Sequence, residues 1–183
     1  VRSRGLGDVY KRQSLYSFLK SLNKEDVNIT TIEDPIENNI SGVNQIQVNS
    51  KVNMTFAAAL RAILRQDPNI IMIGEIRDEE TAEIAVKAAI TGHLVLSTLH
   101  TNSAHGTISR LVDMGIPKYL VADALIGAIS QRLVRKLCPN CKKPHMTTPE
   151  EMKELGLTEP VQIYEPGSCG NCNNTGYHGR TGV

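Results

Sequence analysis

Four cysteines stand in two Cys-x-x-Cys pairs, and their thiols are the side chains with the clearest chemistry in this chain. The pairs are Cys138/Cys141 and Cys169/Cys172, with 27 residues between them. Each short loop can present two thiolates to one metal ion, and four thiolates complete the tetrahedron that Zn²⁺ prefers. No export leader is recognisable, so we expect a reducing compartment in which a zinc site is favoured over two disulfides.

The zinc site is expected to be structural. It would hold together an insert over residues 138–172, which has little apolar core of its own. His145 and His178 are alternative ligands nearby in sequence, although four thiols suffice. A thioredoxin-like redox pair is the alternative for one Cys-x-x-Cys motif, but two pairs fit it poorly.

Acidic and histidine side chains form a second group of candidates, and most of them follow a predicted strand. Glu33, Asp34 and Glu37 follow strand 27–32, Glu75 follows strand 69–73, and His100 follows strand 94–99. In parallel sheets the ligand binds at the carboxyl ends of the strands. We therefore expect these side chains to surround one cleft.

The expected chemistry of this cleft is phosphate transfer. Glu75 follows its strand after a single residue, Gly74, and could orient a water molecule that attacks a phosphate. The acids after strand 27–32 could bind Mg²⁺ through water, and His93 or His100 could donate to a phosphate oxygen. The alternatives are an acid that caps a helix at Glu75, a solvated turn around Pro35, and histidines with plain hydrogen-bonding roles.

Hydrophobic periodicity predicts the elements that position these residues. Strands are predicted over 27–32, 43–48, 69–73 and 94–99, and helices over 14–22, 55–66, 78–90, 109–114 and 117–137. Alternating strands and helices are typical of a parallel sheet with crossover helices. The fold class is therefore predicted to be α/β.

Composition excludes several classes of protein. With 40% apolar residues in 183 and 21% charged residues, the chain can bury a core and is not expected to be disordered. Its formal net charge of +1 argues against a general polyanion binder. No apolar run reaches the roughly 18 residues of a membrane span.

Three segments resemble the motifs of the bacterial type II secretion and type IV pilus assembly ATPases. Segment 29–37 resembles their Asp box, segment 64–78 their Walker B motif, and segment 91–102 their His box. The resemblance covers about residues 14–183. It implies a RecA-like core over 14–137, a zinc-binding insert over 138–172, and the start of a C-terminal continuation over 173–183.

The resemblance also implies roles for individual residues. The catalytic glutamate would be Glu75, the Asp-box acids near magnesium would be Glu33, Asp34 and Glu37, the His-box nucleotide sensors would be His93 and His100, and further cationic contacts would be Arg77 and Arg110. Implied cofactors are ATP, Mg²⁺ and Zn²⁺. The tetracysteine insert is similar to that of assembly-type rather than retraction-type members.

At the level of the assembly, the resemblance implies a homohexamer that hydrolyses ATP to drive pilin or pseudopilin assembly. Its expected partner is the inner-membrane platform protein of a pilus or secretion machine, and no nucleic acid is expected. The expected location is the cytoplasm, peripheral to the inner membrane.

The chain departs from the family at the phosphate-binding loop, whose pattern is G-x-x-x-x-G-K-[ST]. An ungapped alignment puts Gly5 at the first glycine and Lys11 at the lysine, but Tyr10 at the second glycine and Arg12 at the hydroxyl residue. We interpret residues 1–13 as a non-native leader in place of this loop. A degenerate loop in a natural pseudo-ATPase is the alternative. Either way, we expect the chain to bind ATP weakly or not at all.

Two other classes of function remain open. One is a non-enzymatic module that binds nucleic acid or a partner through its zinc ribbon, which the basic residues Arg135, Lys136, Lys142 and Lys143 would support. The near-neutral charge and few aromatic residues argue against it. The other is a structural subunit that assembles without turnover.

Overall fold

A computed structural model describes residues 6–101 and 103–183. It divides into two units, the first up to Ser130 and the second from Gln131 to Val183. In the part of the chain that is described, no helix has the length and apolar character needed to cross a membrane.

The first unit is a four-stranded parallel sheet with helices on both faces. Its elements are α1 (Leu6–Leu22), β1 (Ile29–Glu33), β2 (Asn44–Gln47), α2 (Phe56–Ile63), β3 (Ile70–Ile73), α3 (Glu79–Ile90), β4 (Leu94–Ser97), α4 (Gly106–Asp113) and α5 (Lys118–Ala124). The strand order is β2-β1-β3-β4, and every neighbouring pair is parallel. The predicted α/β class with a parallel sheet is confirmed.

Strand β3 shows why the sheet is buried on both sides. Its four residues are all buried, and they alternate between two apolar clusters. Ile71 and Ile73 belong to the cluster that contains residues of α2, α3 and α5. Ile70 and Met72 belong to the cluster formed with α1. A continuous apolar run is what a parallel strand covered on both faces requires.

Side-chain caps set the starts of the two crossover helices. Thr55 accepts a hydrogen bond from the Ala58 amide at the start of α2, and Asp78 accepts one from the Thr81 amide at the start of α3. Such caps satisfy amides that have no partner within the helix.

The second unit contains two small antiparallel sheets and one helix. Its elements are β5 (Leu133–Leu137), β6 (Lys143–Met146), α6 (Pro149–Leu155), β7 (Gln162–Glu165) and β8 (Tyr177–Gly182). Strand β5 pairs with β8, and β6 pairs with β7. A capping box of Thr148 and Glu151 begins α6, and Gly156 ends it in the left-handed conformation.

The helix predicted over 117–137 is wrong beyond Ala124. Residues 133–137 form β5, whose partner β8 lies some forty residues later in the chain. Between α5 and β5, Ile126 and Ile129 are 87% and 80% exposed. Local periodicity carries no information about a distant partner strand, and that pairing decides the structure here.

Candidate functional site

Glu75 is placed at the carboxyl edge of the sheet by the glycine before it. The Gly74 amide donates to the Ile32 carbonyl of β1 at 2.8 Å. A Cβ atom at Gly74 would lie 3.3 Å from that carbonyl oxygen and 3.5 Å from the Glu33 Cα atom. The absence of a side chain therefore lets the ends of β1 and β3 approach closely, so that the residue before Glu75 packs against the start of the acidic segment after β1.

On the side of β3 that faces β4, two hydroxyl groups bind the end of β3. One belongs to the last residue of β4 and the other to the residue that follows. Ser97 Oγ donates to the Ile73 carbonyl at 2.9 Å, and Thr98 Oγ1 donates to the Gly74 carbonyl at 2.7 Å. The Ile76 amide in turn donates to the Thr98 carbonyl at 3.1 Å. Glu75 is thus held between hydrogen bonds on both sides.

The Glu75 carboxylate contacts two of the predicted site residues. Its Oε1 lies 2.6 Å from Arg77 Nη2, and its Oε2 lies 3.3 Å from His100 Nε2. The Glu75 side chain is only 14% exposed, whereas those of Arg77 and His100 are 66% and 53% exposed. A largely buried carboxylate with a solvent-facing guanidinium and imidazole beside it can accept a proton from a water molecule beside an anionic substrate.

Glu33 has a different environment, because its carboxylate is fully buried and bound by neutral donors. Thr31 Oγ1 donates to Oε1 at 2.7 Å, and Gln45 Nε2 donates to the same oxygen at 3.0 Å. Tyr16 Oη donates to Oε2. Burial, followed by this hydrogen bond, raises the pKa of Tyr16 from 10.0 to about 12.

The other two acids of the segment lie nearer to solvent. Asp34 is exposed. Glu37 Oε1 lies 2.5 Å from Arg12 Nη1, and the two side chains are 33% and 11% exposed respectively. The Asp-box acids therefore divide into one buried residue, Glu33, and two residues nearer the surface.

The residues aligned with the phosphate-binding loop lie in a helix wherever the structure describes them. Helix α1 begins at Leu6, so Lys11 and Arg12 are both helical and half-buried. Gly5, and Asn102 at the end of the His-box segment, lie outside the described residues. The assignment of Lys11 to nucleotide binding stays a prediction.

His93 and Arg110 are not brought to Glu75. His93 precedes β4, at the opposite end of the strand from His100, and its Nδ1 lies 3.0 Å from the Ala88 carbonyl oxygen. Seven residues of extended chain correspond to roughly 20 Å. Arg110 is exposed on α4.

The four cysteine sulfurs of the second unit form a single cluster. All four lie within 4.8 Å of one another. Three Sγ–Sγ distances are 3.8 Å (Cys138–Cys169), 3.7 Å (Cys141–Cys172) and 3.6 Å (Cys169–Cys172). A tetrahedron with Zn–S bonds of about 2.3 Å has edges of about 3.8 Å, whereas a disulfide needs about 2.05 Å. The donor set therefore fits zinc.

The chemistry of the thiols supports the same interpretation. Burial, and hydrogen bonding to the other cysteines, raises the pKa of Cys141 to about 12. Burial also acts to raise the pKa of Cys172, but hydrogen bonds with the Cys169 and Gly176 backbone outweigh it and lower the value to about 6. The Gly176 amide donates to Cys172 Sγ at 3.3 Å. The thiols are thus close enough to shift one another's pKa, as expected of sulfurs that share one ion.

Sequence reasoning missed two residues that contact the acidic segment, Tyr16 and Gln45. Tyr16 precedes Leu19 by three positions, and both are buried on the same side of α1. That spacing is the signal that could have found Tyr16. For Gln45 in β2, the contact depends on the pairing of β2 with β1, and no local pattern reveals it.

Solved structures with a similar fold include a pilus retraction motor and a bacterial ATPase. The structure of the pilus retraction motor PilT with bound ADP is similar at a TM-score of 0.64 and 38% identity, over 85% of this chain and 43% of that one. The DotB ATPase of Legionella pneumophila is similar at a TM-score of 0.54 and 30% identity, over 88% of this chain and 42% of that one.

The chain belongs to the family described as "Type II/IV secretion system protein", whose profile matches residues 9–183. It is 56% identical over 173 residues to type II secretion system protein E of Dickeya dadantii and covers 35% of that protein. It is 54% identical over 178 residues to the type IV pilus assembly ATPase PilB of Myxococcus xanthus and covers 31% of it. Each match covers 94% of this chain, which therefore spans about a third of these relatives.

Proposed function

We propose that this chain is the catalytic part of an ATPase that powers pilin or pseudopilin assembly in type IV pilus biogenesis or type II protein secretion. The protein would act as a homohexamer with an inner-membrane platform protein, in the cytoplasm at the inner membrane. The family relationship supports the general role. The observation that carries the chemical part of the proposal is the contact between Glu75 at the end of β3 and His100 beyond β4.

In this proposal, Glu75 accepts a proton from the water that attacks the terminal phosphate. Its low exposure keeps the carboxylate aimed in one direction, and Arg77 and His100 provide cationic or hydrogen-bonding groups beside the phosphate. Asp34 and Glu37 are the acids that would hold Mg²⁺ through water, and the ion would supply positive charge beside the phosphates. His93, Arg110 and Lys11 remain candidates. A role in nucleotide binding would require each of them to contact the nucleotide or another subunit.

Zinc is proposed to be bound by Cys138, Cys141, Cys169 and Cys172. Their separations match the edges of a tetrahedral site. The ion would supply a cross-link between two loops that are distant in sequence. That role is structural, since the zinc-binding sulfurs leave no position open for a substrate.

The test of the ATPase proposal restores the phosphate-binding pattern by two substitutions. Tyr10→Gly with Arg12→Thr completes G-x-x-x-x-G-K-T from Gly5 to position 12. The double substitution also releases Glu37 from its ion pair with Arg12. ATP binding is measured by calorimetry, and hydrolysis by phosphate release, in the chain as given and in the variant.

We expect the chain as given to show no micromolar ATP affinity and the double variant to gain Mg-dependent binding. Adding Glu75→Gln should preserve binding and reduce hydrolysis by at least roughly a hundredfold, the usual contribution of a general base. A variant that hydrolyses ATP equally well with Glu75→Gln contradicts the role of Glu75. Binding without turnover in both would favour a structural subunit.

A non-enzymatic zinc ribbon that binds nucleic acid is less well supported. Two of its basic residues pack on tyrosine rings of the same unit: Arg135 lies 3.8 Å from the centre of the Tyr177 ring, and Lys142 lies 4.1 Å from that of Tyr164. These rings are thereby engaged by cations instead of being open to stacking bases. Salt-dependent DNA binding without magnesium would favour this alternative.

A further inference from the structure

The acidic segment Glu33–Glu37 is held at both ends by one side chain of α1. Tyr16 is 6% exposed, and its hydroxyl group makes two hydrogen bonds with this segment. The hydroxyl donates to Glu33 Oε2 at the start of the segment and accepts from the Glu37 amide, at 3.1 Å, at its end. The Tyr16 hydroxyl oxygen therefore connects the two ends of this five-residue segment.

Glu33 depends on these contacts because it is completely buried. Its three described donors are the neutral groups of Tyr16, Thr31 and Gln45. A buried carboxylate without hydrogen bonds is strongly unfavourable, so each donor matters to the conformation around it. Because it is completely buried and already accepts three hydrogen bonds from neutral groups, Glu33 is unsuited to bind a cation.

Gln45 adds a second connection within the same network. Its Nε2 donates to Glu33 Oε1 and to the Asn38 carbonyl, both at 3.0 Å, and its Oε1 accepts from the Ile40 amide at 2.7 Å. The loop that follows Glu37 is thus tied to the same carboxylate. Asp34 and Glu37 lie between the buried Glu33 and the residues that Gln45 contacts, and both are nearer the surface.

We propose that Tyr16 is a positioning residue, which anchors Glu33 internally and thereby sets the orientation of Asp34 and Glu37 at the sheet edge. The inference rests on the proposed function, because it divides the three acids into one anchor and two residues that face a cation. It assigns Glu33 a role different from the direct magnesium role that family resemblance implies. Helix α1 thereby acts on the acidic segment through a polar contact as well as through apolar packing.

The test uses the full zinc-loaded chain and the substitution Tyr16→Phe, which keeps the ring and removes only the hydroxyl. Tyr119→Phe is the control, because Tyr119 is 67% exposed on α5. The first measurement is amide hydrogen exchange at Glu37 by NMR, with the Leu19 amide as an internal reference. The second is Mn²⁺ binding, measured in an Arg12→Thr background that frees Glu37 from its ion pair and followed by paramagnetic broadening of the Asp34 and Glu37 amides.

We expect Tyr16→Phe to accelerate exchange of the Glu37 amide by roughly fivefold or more, as loss of one hydrogen bond would, with Leu19 changed less than twofold. Mn²⁺ affinity should fall several-fold, and Tyr119→Phe should change neither. Unchanged Glu37 exchange overturns the proposal. So does a lower melting temperature with unchanged Mn²⁺ affinity, which would indicate a merely stabilising residue.

Failure of the proposed function gives a different result. If the Asp34 and Glu37 amides are not broadened by millimolar Mn²⁺ in the Arg12→Thr chain, in which Glu37 has lost its ion pair, the cation site is refuted. Exchange at Glu37 then still decides whether Tyr16 orders the segment. Tyr16→Phe combined with Glu33→Gln guards against misfolding, because a neutral amide tolerates the missing donor; Glu37 exchange should stay fast in this variant too, and its return to normal would overturn the proposal.

Discussion

Glu33 and Glu75 both follow buried strands of one sheet, yet their carboxylates have different surroundings. Glu33 is the last residue of β1 and lies on the strand face shared by Ile29 and Thr31, which α1 covers. Glu75 lies one residue beyond β3 and extends toward Arg77 and His100. The sequence predicted both as site residues, but the position of α1 over β1 makes one of them an internal group.

Arg12 illustrates how a single residue alters the same region. The alignment with the family places a magnesium-binding hydroxyl at this position, and the structure places the Arg12 guanidinium on Glu37. The Arg12 guanidinium thus forms an ion pair with Glu37, one of the two acids proposed to face the metal ion. This contact gives a physical reason, independent of the missing glycine, for the weak magnesium nucleotide binding that we expect of this chain.

The elevated pKa of Tyr16 predicts a pH dependence of stability in the alkaline range. The folded state holds the tyrosine proton to about pH 12, whereas the unfolded state releases it near pH 10.0. The stabilisation is therefore complete below pH 10 and lost as pH rises toward 12. We expect Tyr16→Phe to lower the free energy of unfolding by roughly 1 to 3 kcal/mol at pH 9, and this difference should shrink by pH 11.

Urea unfolding at pH 9, 10 and 11 measures this effect. Tyr119→Phe, whose ring is exposed, should leave stability nearly unchanged at each pH. A difference between the unsubstituted chain and Tyr16→Phe that is constant from pH 9 to 11 would contradict the coupling of the Tyr16 proton to folding.

At the scale of elements, the sheet and its crossover helices were predictable because their signals are local. The run Ile70–Ile73 is apolar and bounded by turn residues, and α2 and α3 begin at capping residues. Strand β5 was not predictable in the same way, because its conformation depends on β8. The contacts of Tyr16 and Gln45 with Glu33 were not predictable for the same reason, since each contact joins residues of separate elements.

Close approach of β1 and β3 at Gly74 yields a prediction about the same edge. In Gly74→Val, the new side chain would meet the Ile32 carbonyl oxygen and the Glu33 Cα atom. We expect a loss of roughly 1 to 3 kcal/mol of stability from overpacking, measured by urea unfolding, together with a shift of the Glu75 NMR signals.

Gly127→Ala is the matched control for Gly74→Val. A Cβ atom at Gly127 would meet no atom within 4 Å, so we expect a change within about 0.5 kcal/mol. Equal stability of the two variants would show that the strand ends tolerate separation and that Gly74 has no packing role.

At the scale of the whole molecule, the two units have different sources of stability. The first unit has two apolar clusters on either side of a four-stranded sheet. The second unit has two two-stranded sheets, and two of its four cysteines are buried. Sheets of two strands are marginal alone, so the sulfur cluster is the expected source of stability in the second unit.

Removal of zinc should therefore affect the two units unequally. We expect Cys138→Ser to release zinc, as measured by elemental analysis, and to increase hydrogen exchange over residues 138–172. Exchange in β3 should stay slow, because that strand is buried in the first unit. Ser168→Ala, which alters a neighbouring residue that is not a thiol, is the control. Unchanged zinc content in Cys138→Ser would refute the metal assignment.

The hydroxyl groups of Ser97 and Thr98 have a mechanical consequence. Both donate hydrogen bonds to carbonyl oxygens at the end of the neighbouring strand. These side-chain hydrogen bonds join the ends of β3 and β4 in addition to the backbone hydrogen bonds of the sheet. We therefore expect the ends of β3 and β4 to move together when either strand end is displaced. If the proposed function holds, Glu75 and His100 would then move together, and the distance between them would change less than their distance from groups on other elements.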